Sequence, residues 1–204
     1  PSDLQKYKLV IYHNDNFQSS GNLKLENDGL TLYLRSGGNL IISSTNSLAQ
    51  NLEAFVNATQ KTFVSFLGVY YEKPPANILS NSLTIRPFFQ QALGQNGYPN
   101  VNLQYSAANE PSFVNLINNY QGLATITYFP KISVNATAIY KMGIKPVGSP
   151  YGPTQEQFDR YNNQIIGIRC VTGNSHCYTF GFPLSYMYTP DVKTMMNKIL
   201  SEVM

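Results

Sequence analysis

The chain has 204 residues, of which 12% are charged and 13% aromatic, with 15 tyrosines, no tryptophan and a net charge of +3. That length accommodates one α/β domain with a full core and would squeeze two. The positive charge is spread thinly, without the dense Lys/Arg cluster that binding a nucleic-acid backbone needs, and runs such as Leu40-Ile-Ile42 and Ile165-Ile166 fall far short of the ~20 apolar residues that cross a bilayer, so neither nucleic acid nor a membrane span is expected.

Lys8-Leu-Val-Ile-Tyr12 is a short apolar run giving way to the polar His13-Asn-Asp-Asn16, the pattern of a buried strand entering a loop. From Gly21 to Ser36, Leu23, Leu25, Leu30, Tyr33 and Leu34 fit an amphipathic helix, stopped by Gly37-Gly38, which can take the positive φ of a helix C-cap. Asn39-Leu-Ile-Ile-Ser43 then enters a second buried strand. Strand, helix, Gly-Gly turn and strand make a βαβ unit with a right-handed parallel crossover. Ser44-Thr-Asn-Ser47 offers capping residues, followed by helical spacing at Leu48, Leu52, Phe55 and Val56 and again at Phe63, Phe66 and Leu67 before Gly68. Helices that follow strands in this way predict a doubly wound, mostly parallel α/β sheet.

The middle breaks any long period, at Lys73-Pro-Pro75, Arg86-Pro87, Gly94, Gly97-Tyr-Pro-Asn100 and Glu110-Pro111. Residues 69–125 read as an irregular or β-rich insertion within one domain spanning 1–204, with a strand at Val101 to Tyr105. Gly122 to Tyr128 and Asn135 to Tyr140 read as further strands, and the loop Gly148 to Pro153 precedes a short polar segment. Gln164 to Val171 and Cys177 to Gly181 flank Thr172-Gly-Asn-Ser-His176, a hairpin signature. A terminal amphipathic helix follows, with Thr189 as N-cap, Pro190 at its first position, and Val192, Met195, Met196, Ile199, Leu200 and Val203 on one face.

Several groups carry chemistry, each with a plainer reading beside it. Cys170 and Cys177 straddle the hairpin loop at about the separation of a disulfide, or are two buried free thiols; His176 alone cannot complete a metal site with them, and no cofactor is expected. His13 with Asp15 follows the carboxyl end of a strand, the edge where open α/β sheets bind ligands, which makes the two an acid/base candidate or a simple turn and helix cap. Ser43, Ser44 and Thr45 top the second strand without the Gly-x-Ser-x-Gly elbow that exposes a nucleophile. Tyr70, Tyr71, Phe88, Phe89, Tyr98 and Tyr105 form either a binding face for carbohydrate or protein, or a satellite core under a long loop. Asn57-Ala-Thr59 and Asn135-Ala-Thr137 are glycosylation sequons or chance occurrences. Pro1 to Lys6 lacks the basic start and apolar stretch of a signal peptide; the low charge, the Cys pair and the sequons nevertheless suit an extracellular or cell-surface protein.

Two segments, Leu30 to Ser44 and Tyr178-Thr-Phe-Gly-Phe-Pro-Leu-Ser-Tyr-Met187 with its helix, resemble the class I glutamine amidotransferase-like, flavodoxin-like domain of secreted multidomain bacterial proteins. The resemblance covers about the first 67 residues and the last 40. In active members a cysteine nucleophile follows the second strand, and a later strand ends in His-Pro-Glu. The resemblance puts the nucleophile at Ser44 or within one residue of it, and lays Phe182-Pro183-Leu184 on His-Pro-Glu, with base and orienting carboxylate both replaced by apolar residues. A serine without a base has no route to an alkoxide, so the resemblance implies a fold without the activity. It also implies a preceding strand and helix, supplied by another chain, and hence an exposed sheet edge that takes a partner. The expected function is a non-catalytic structural or interaction module assembled with another polypeptide or with itself. A hydrolase using His13, Asp15 and Ser44, and a carbohydrate-binding role for the Tyr-rich segment, are the alternatives.

Overall fold

A computed structural model describes residues 3–14, 23–44, 61–69, 82–84, 89–104, 125–149 and 152–204. The first apolar run forms β1 (Leu9–Asn14), the amphipathic segment forms α1 (Leu23–Arg35), and the next run forms β2 (Asn39–Ser44), which lies parallel to β1 as the βαβ pattern requires. Gly37 ends α1 at φ 91°, and the N–H groups of Gly37 and Gly38 return to the carbonyls of Leu34 and Tyr33 at 3.0 and 3.1 Å. The Tyr33 ring fills the space where a Cβ on Gly38 would stand, so the tight turn needs glycine at both positions.

The Tyr33 hydroxyl accepts the Asn39 N–H at 3.1 Å and lies 3.0 Å from the carbonyl oxygens of Tyr7 and Asn39. Asn39 in turn donates from Nδ2 to the Lys8 carbonyl (2.9 Å) and accepts the His176 N–H on Oδ1 (2.9 Å). The starts of three neighbouring strands are therefore pinned by one amide.

Further along come α2 (Lys61–Leu67), β3 (Ser82–Thr84), β4 (Phe89–Gly94), β5 (Val101–Asn102), β6 (Thr125–Thr127), β7 (Ala136–Ile144), α3 (Gln155–Tyr161), β8 (Ile165–Thr172), β9 (Ser175–Phe180) and α4 (Thr189–Val203). A seven-stranded sheet has the order β1-β2-β9-β8-β7-β4-β5, and β3 pairs with β6 in a separate ribbon. Helices and strands thus build a mixed α/β structure. The sheet is not mostly parallel: β1–β2 and β2–β9 are parallel, whereas β9–β8, β8–β7, β7–β4 and β4–β5 are antiparallel. The hairpin explains part of this, since the two-residue loop Gly173-Asn174, with Gly173 at φ 60°, reverses the chain at once, and parallel neighbours need a long crossover.

The segment read as an insertion supplies β4 and β5 to this same sheet. The strand expected at Val101 to Tyr105 shortens to Val101–Asn102, Leu103 makes an isolated bridge to Met187, and Tyr105 lies outside the described residues. This edge of the sheet is sealed. Tyr188 donates its N–H to the Asn102 carbonyl (2.8 Å), and Asp191 Oδ2 accepts the Asn102 N–H (3.0 Å) and Nδ2 (2.9 Å).

Both faces of the sheet are covered. On one, Leu30, Tyr33 and Leu34 of α1 and Phe63, Phe66 and Leu67 of α2 pack on Leu40, Ile42, Ile168, Cys170 and Cys177. On the other, Met195 and Ile199 of α4 pack with Ile41, Tyr140, Ile166, Tyr178, Phe180 and Phe182. β2 is buried along its whole length, which accounts for its unbroken apolar run. Thr154 caps α3 in a reciprocal capping box with Gln157. α4 begins one residue earlier than the sequence reading: Tyr188 is its N-cap without a side-chain bond, and Thr189 is already helical.

Candidate functional site

β2 and β9 are parallel neighbours whose carboxyl ends lie side by side, with Ser43 opposite Phe180. Beyond Phe180 the chain turns at Gly181, whose N–H bonds the Ile166 carbonyl (2.8 Å) and whose carbonyl accepts the Thr127 N–H (2.8 Å). Thr127 O stands where a Cβ on this residue would be, so only glycine lets the backbones approach. The turn lays Phe182-Pro183-Leu184 across the end of β2.

There the Ser43 hydroxyl donates to the Phe182 carbonyl (3.2 Å) and accepts the Leu184 N–H (3.0 Å), and His13 Nδ1 lies 3.3 Å away. Ser43 and Phe182 are both fully buried. A hydroxyl has one proton and two acceptor sites, and these contacts use all three. With its proton on Phe182 O, the Ser43 oxygen accepts from His13 when the imidazole carries its proton on Nδ1. Phe182 enters an aromatic cluster, its centroid 5.5 Å from Phe180, 5.9 Å from Tyr140 and 6.3 Å from Phe89. Such tilted and edge-on pairs favour a dry, fixed packing over a ligand pocket.

Phe182 and Leu184, which the amidotransferase resemblance lays on two triad positions, thus meet the end of β2 at Ser43, one residue before Ser44. Ser44 follows in the strand, in register with Asn14, and alternation puts it on the face opposite to His13 and Ser43. Asp15 lies outside the described residues.

Of the tyrosines proposed as a binding face, Tyr70, Tyr71 and Tyr105 lie outside the described residues, as does Phe88. Tyr98 is 7% exposed and Phe89 5%, which makes both core residues and removes them from any exposed face. Tyr98 belongs to a polar cluster that the sequence reading missed. Glu202 Oε2 accepts the hydroxyls of Tyr98 and Tyr178 at 2.8 Å each, Arg169 Nε lies 2.8 Å from the same oxygen, and Lys198 Nζ lies 3.3 Å from Oε1. The Arg169 contact is a charge attraction and not a directed hydrogen bond, because its N–H does not aim along it. Burial pulls the Glu202 carboxyl up, but the bonds from Tyr98 and Tyr178 and the nearby Arg169 outweigh it and hold the group below its ordinary range. Burial first, and then donation to Glu202, push both phenols well up. The cluster fastens α4 to the sheet. Its signal in the sequence was spacing: Glu202 lies three residues past Ile199, on the flank of the buried stripe.

Cys170 and Cys177 stand opposite one another in the β8–β9 ladder, as the hairpin predicted, but both are free thiols. A two-residue loop closes on a hydrogen-bonded pair at Thr172 and Ser175, and alternation makes Cys170/Cys177 the same kind of pair, whose side chains stand wider apart than in the intervening pair. Burial raises the pKa of both thiols, Cys177 most. His176 alternates to the other face, beside Tyr178, where burial and then Arg169 lower its pKa, so it does not join the thiols. Among the described residues no group of three or more His, Cys, Asp or Glu is placed to hold a metal, and no helix is long and apolar enough to cross a membrane. Asn135 sits in an exposed turn before β7 with Thr137 also exposed; Asn57 lies outside the described residues. The chain matches no protein-family model, and no curated protein is significantly similar to it.

Proposed function

We propose that the chain is a non-catalytic structural or interaction module, built on a flavodoxin-like, amidotransferase-like α/β scaffold and working outside the cell or at its surface in association with another polypeptide or a further copy of itself. One observation carries the reading: the hydroxyl at the end of β2 is buried and saturated by the backbone of Phe182 and Leu184. A place where such sheets often hold a nucleophile is occupied here by a clip between strand ends. The exposed Asn135 turn supports an extracellular setting. Hydrolysis of glutamine and of a simple aryl ester by the purified chain tests it. No turnover above the Ser43→Ala variant is expected, and turnover abolished by Ser43→Ala or Ser44→Ala would refute it.

The contact between His13 Nδ1 and Ser43 favours a second reading, a hydrolase using that pair. It requires the Ser43 oxygen to become accessible and the imidazole to accept its proton. Labelling of Ser43 by an organophosphonate ester, located by peptide mass, would establish it.

A further inference from the structure

β7 starts out of a tight turn, and that turn carries a motif which neither the Ser43 clip nor the Glu202 cluster uses. Asn135-Ala136-Thr137 has the Asn-x-Thr spacing of an N-glycan acceptor, with alanine and not proline in the middle. Three residues in a chain rich in asparagine are a weak signal. What weighs is where the fold puts the carboxamide and the hydroxyl, and whether the fold has another use for them.

The Ala136 N–H returns to the Ser133 carbonyl at 3.0 Å, closing a four-residue turn with Val134 and Asn135 at its corners. The turn is fixed from both sides by main-chain bonds: the Ser133 N–H donates to the Gly68 carbonyl (2.9 Å), and the Asn135 carbonyl accepts the Val171 N–H at the end of β8 (3.2 Å). Asparagine serves turns in two usual ways, by a side-chain bond to the backbone or by tolerating positive φ. Asn39, Asn96 and Asn100 each give their carboxamide to the backbone, and Asn96 and Asn163 take positive φ. Asn135 does neither: its φ is not positive, and its exposed carboxamide has no hydrogen bond to a described residue. Thr137, two residues on, is also exposed, and its hydroxyl is equally unengaged among the described residues. Residues two apart in extended chain share a side, so acceptor amide and hydroxyl open onto the same surface. Between Ser133 and Asn135 stands Val134, an apolar side chain that the fold leaves fully exposed.

We propose that Asn135 carries an N-linked glycan. This rests on the extracellular part of the proposed function, since the modification is made on chains being exported. The donor is an oligosaccharide on a lipid diphosphate. Asn135 Nδ2 forms a bond to the anomeric carbon of the first sugar, and the bond from that carbon to the diphosphate oxygen breaks. The lipid diphosphate leaves with the electron pair, one amide proton passes to a basic group of the transferring enzyme, and nothing is oxidised or reduced. Folding loses no hydrogen bond to the modification, because the carboxamide makes none to a described residue. The glycan shields Val134 and stands at the hairpin end of the sheet, beside the end of β8 and away from the strand ends that meet at Ser43.

Peptide mass mapping of the protein isolated from the cells that make it tests the proposal. Trypsin cuts after Lys131 and Lys141 and releases Ile132–Lys141, in which Asn135 is the one asparagine, so the site is read apart from Asn57. The expected result is loss of the bare peptide. It returns after peptide N-glycosidase treatment in heavy-oxygen water, with residue 135 converted to labelled aspartate. In the same cells Thr137→Ser keeps the modification and Thr137→Ala loses it. A bare wild-type peptide, or a modification that survives Thr137→Ala, overturns the proposal. Bare peptide from protein recovered outside the cell sinks the glycan alone, whereas bare peptide from protein found only inside sinks the extracellular reading with it.

Discussion

Replacing Ser43 by alanine separates a structural hydroxyl from a catalytic one. The change leaves the Leu184 N–H and the Phe182 carbonyl without the partner they have at 3.0 and 3.2 Å, and removes the contact to His13. A neutral hydrogen bond contributes about 0.5–1.5 kcal/mol net, and a buried polar group left unpaired costs about 1–3 kcal/mol. Ser43 and Phe182 are fully buried, so water does not replace the hydroxyl at the Phe182 carbonyl. The Leu184 N–H is part-buried and finds water in some of the unfastened states, so the total settles at about 2–4 kcal/mol. For a chain of this size that lowers Tm by roughly 5–15 °C. Equilibrium urea unfolding at neutral pH reads it as a lower midpoint with an unchanged slope. A loss below about 0.5 kcal/mol would refute the claim that this hydroxyl is a structural fastening.

Glu202 gives a pH dependence. Its folded pKa lies below its unfolded value, so its contribution is present above the unfolded carboxylate range and is lost as pH falls through the folded pKa. Unfolding curves of wild type and Glu202→Gln should differ at pH 7 and converge in acid; a constant difference would refute the role assigned to the carboxylate. At the alkaline end, the raised phenols of Tyr98 and Tyr178 contribute stability that is complete below their ordinary pKa and lost as pH rises past it, visible as phenolate absorbance that appears together with unfolding. Cys170 and Cys177 should resist Ellman's reagent in the native chain and both react in denaturant; a denatured chain with no reactive thiol would show the pair to be joined.

The βαβ start was legible because its signals are local: an apolar run, a helical stripe and a Gly37 stop that has to take positive φ. So were the hairpin and the terminal helix. That Ser43 and not Ser44 meets the turn at Phe182 was beyond that resolution, because in a strand one residue decides the face. β7 was read only to Tyr140. It runs on to Ile144, and the register shifts around Ala138 to Tyr140 place Ile139 and Tyr140 both in the core, which destroys the alternation that announces a strand. β4 was hidden for another reason: Gly94, Gly97 and Pro99 read as part of an irregular or β-rich excursion, whereas they shape the short turn that joins β4 to β5, the strand expected from Val101. The Asn102 and Glu202 fastenings join residues far apart in the chain, and no local pattern, the spacing of Glu202 from Ile199 included, names their partners.

The Ser43 clip also bears on the order in which the chain assembles. It joins residues 141 positions apart, whereas the β8–β9 hairpin closes over a two-residue loop. Closing the longer loop costs more chain entropy and waits on more of the structure, so the antiparallel half of the sheet is expected to form ahead of the contact between β2 and β9. Loss of the hydroxyl should then leave the refolding rate almost untouched and appear as faster unfolding. The carboxyl ends of β2 and β9 are the seam where the two halves of the sheet close.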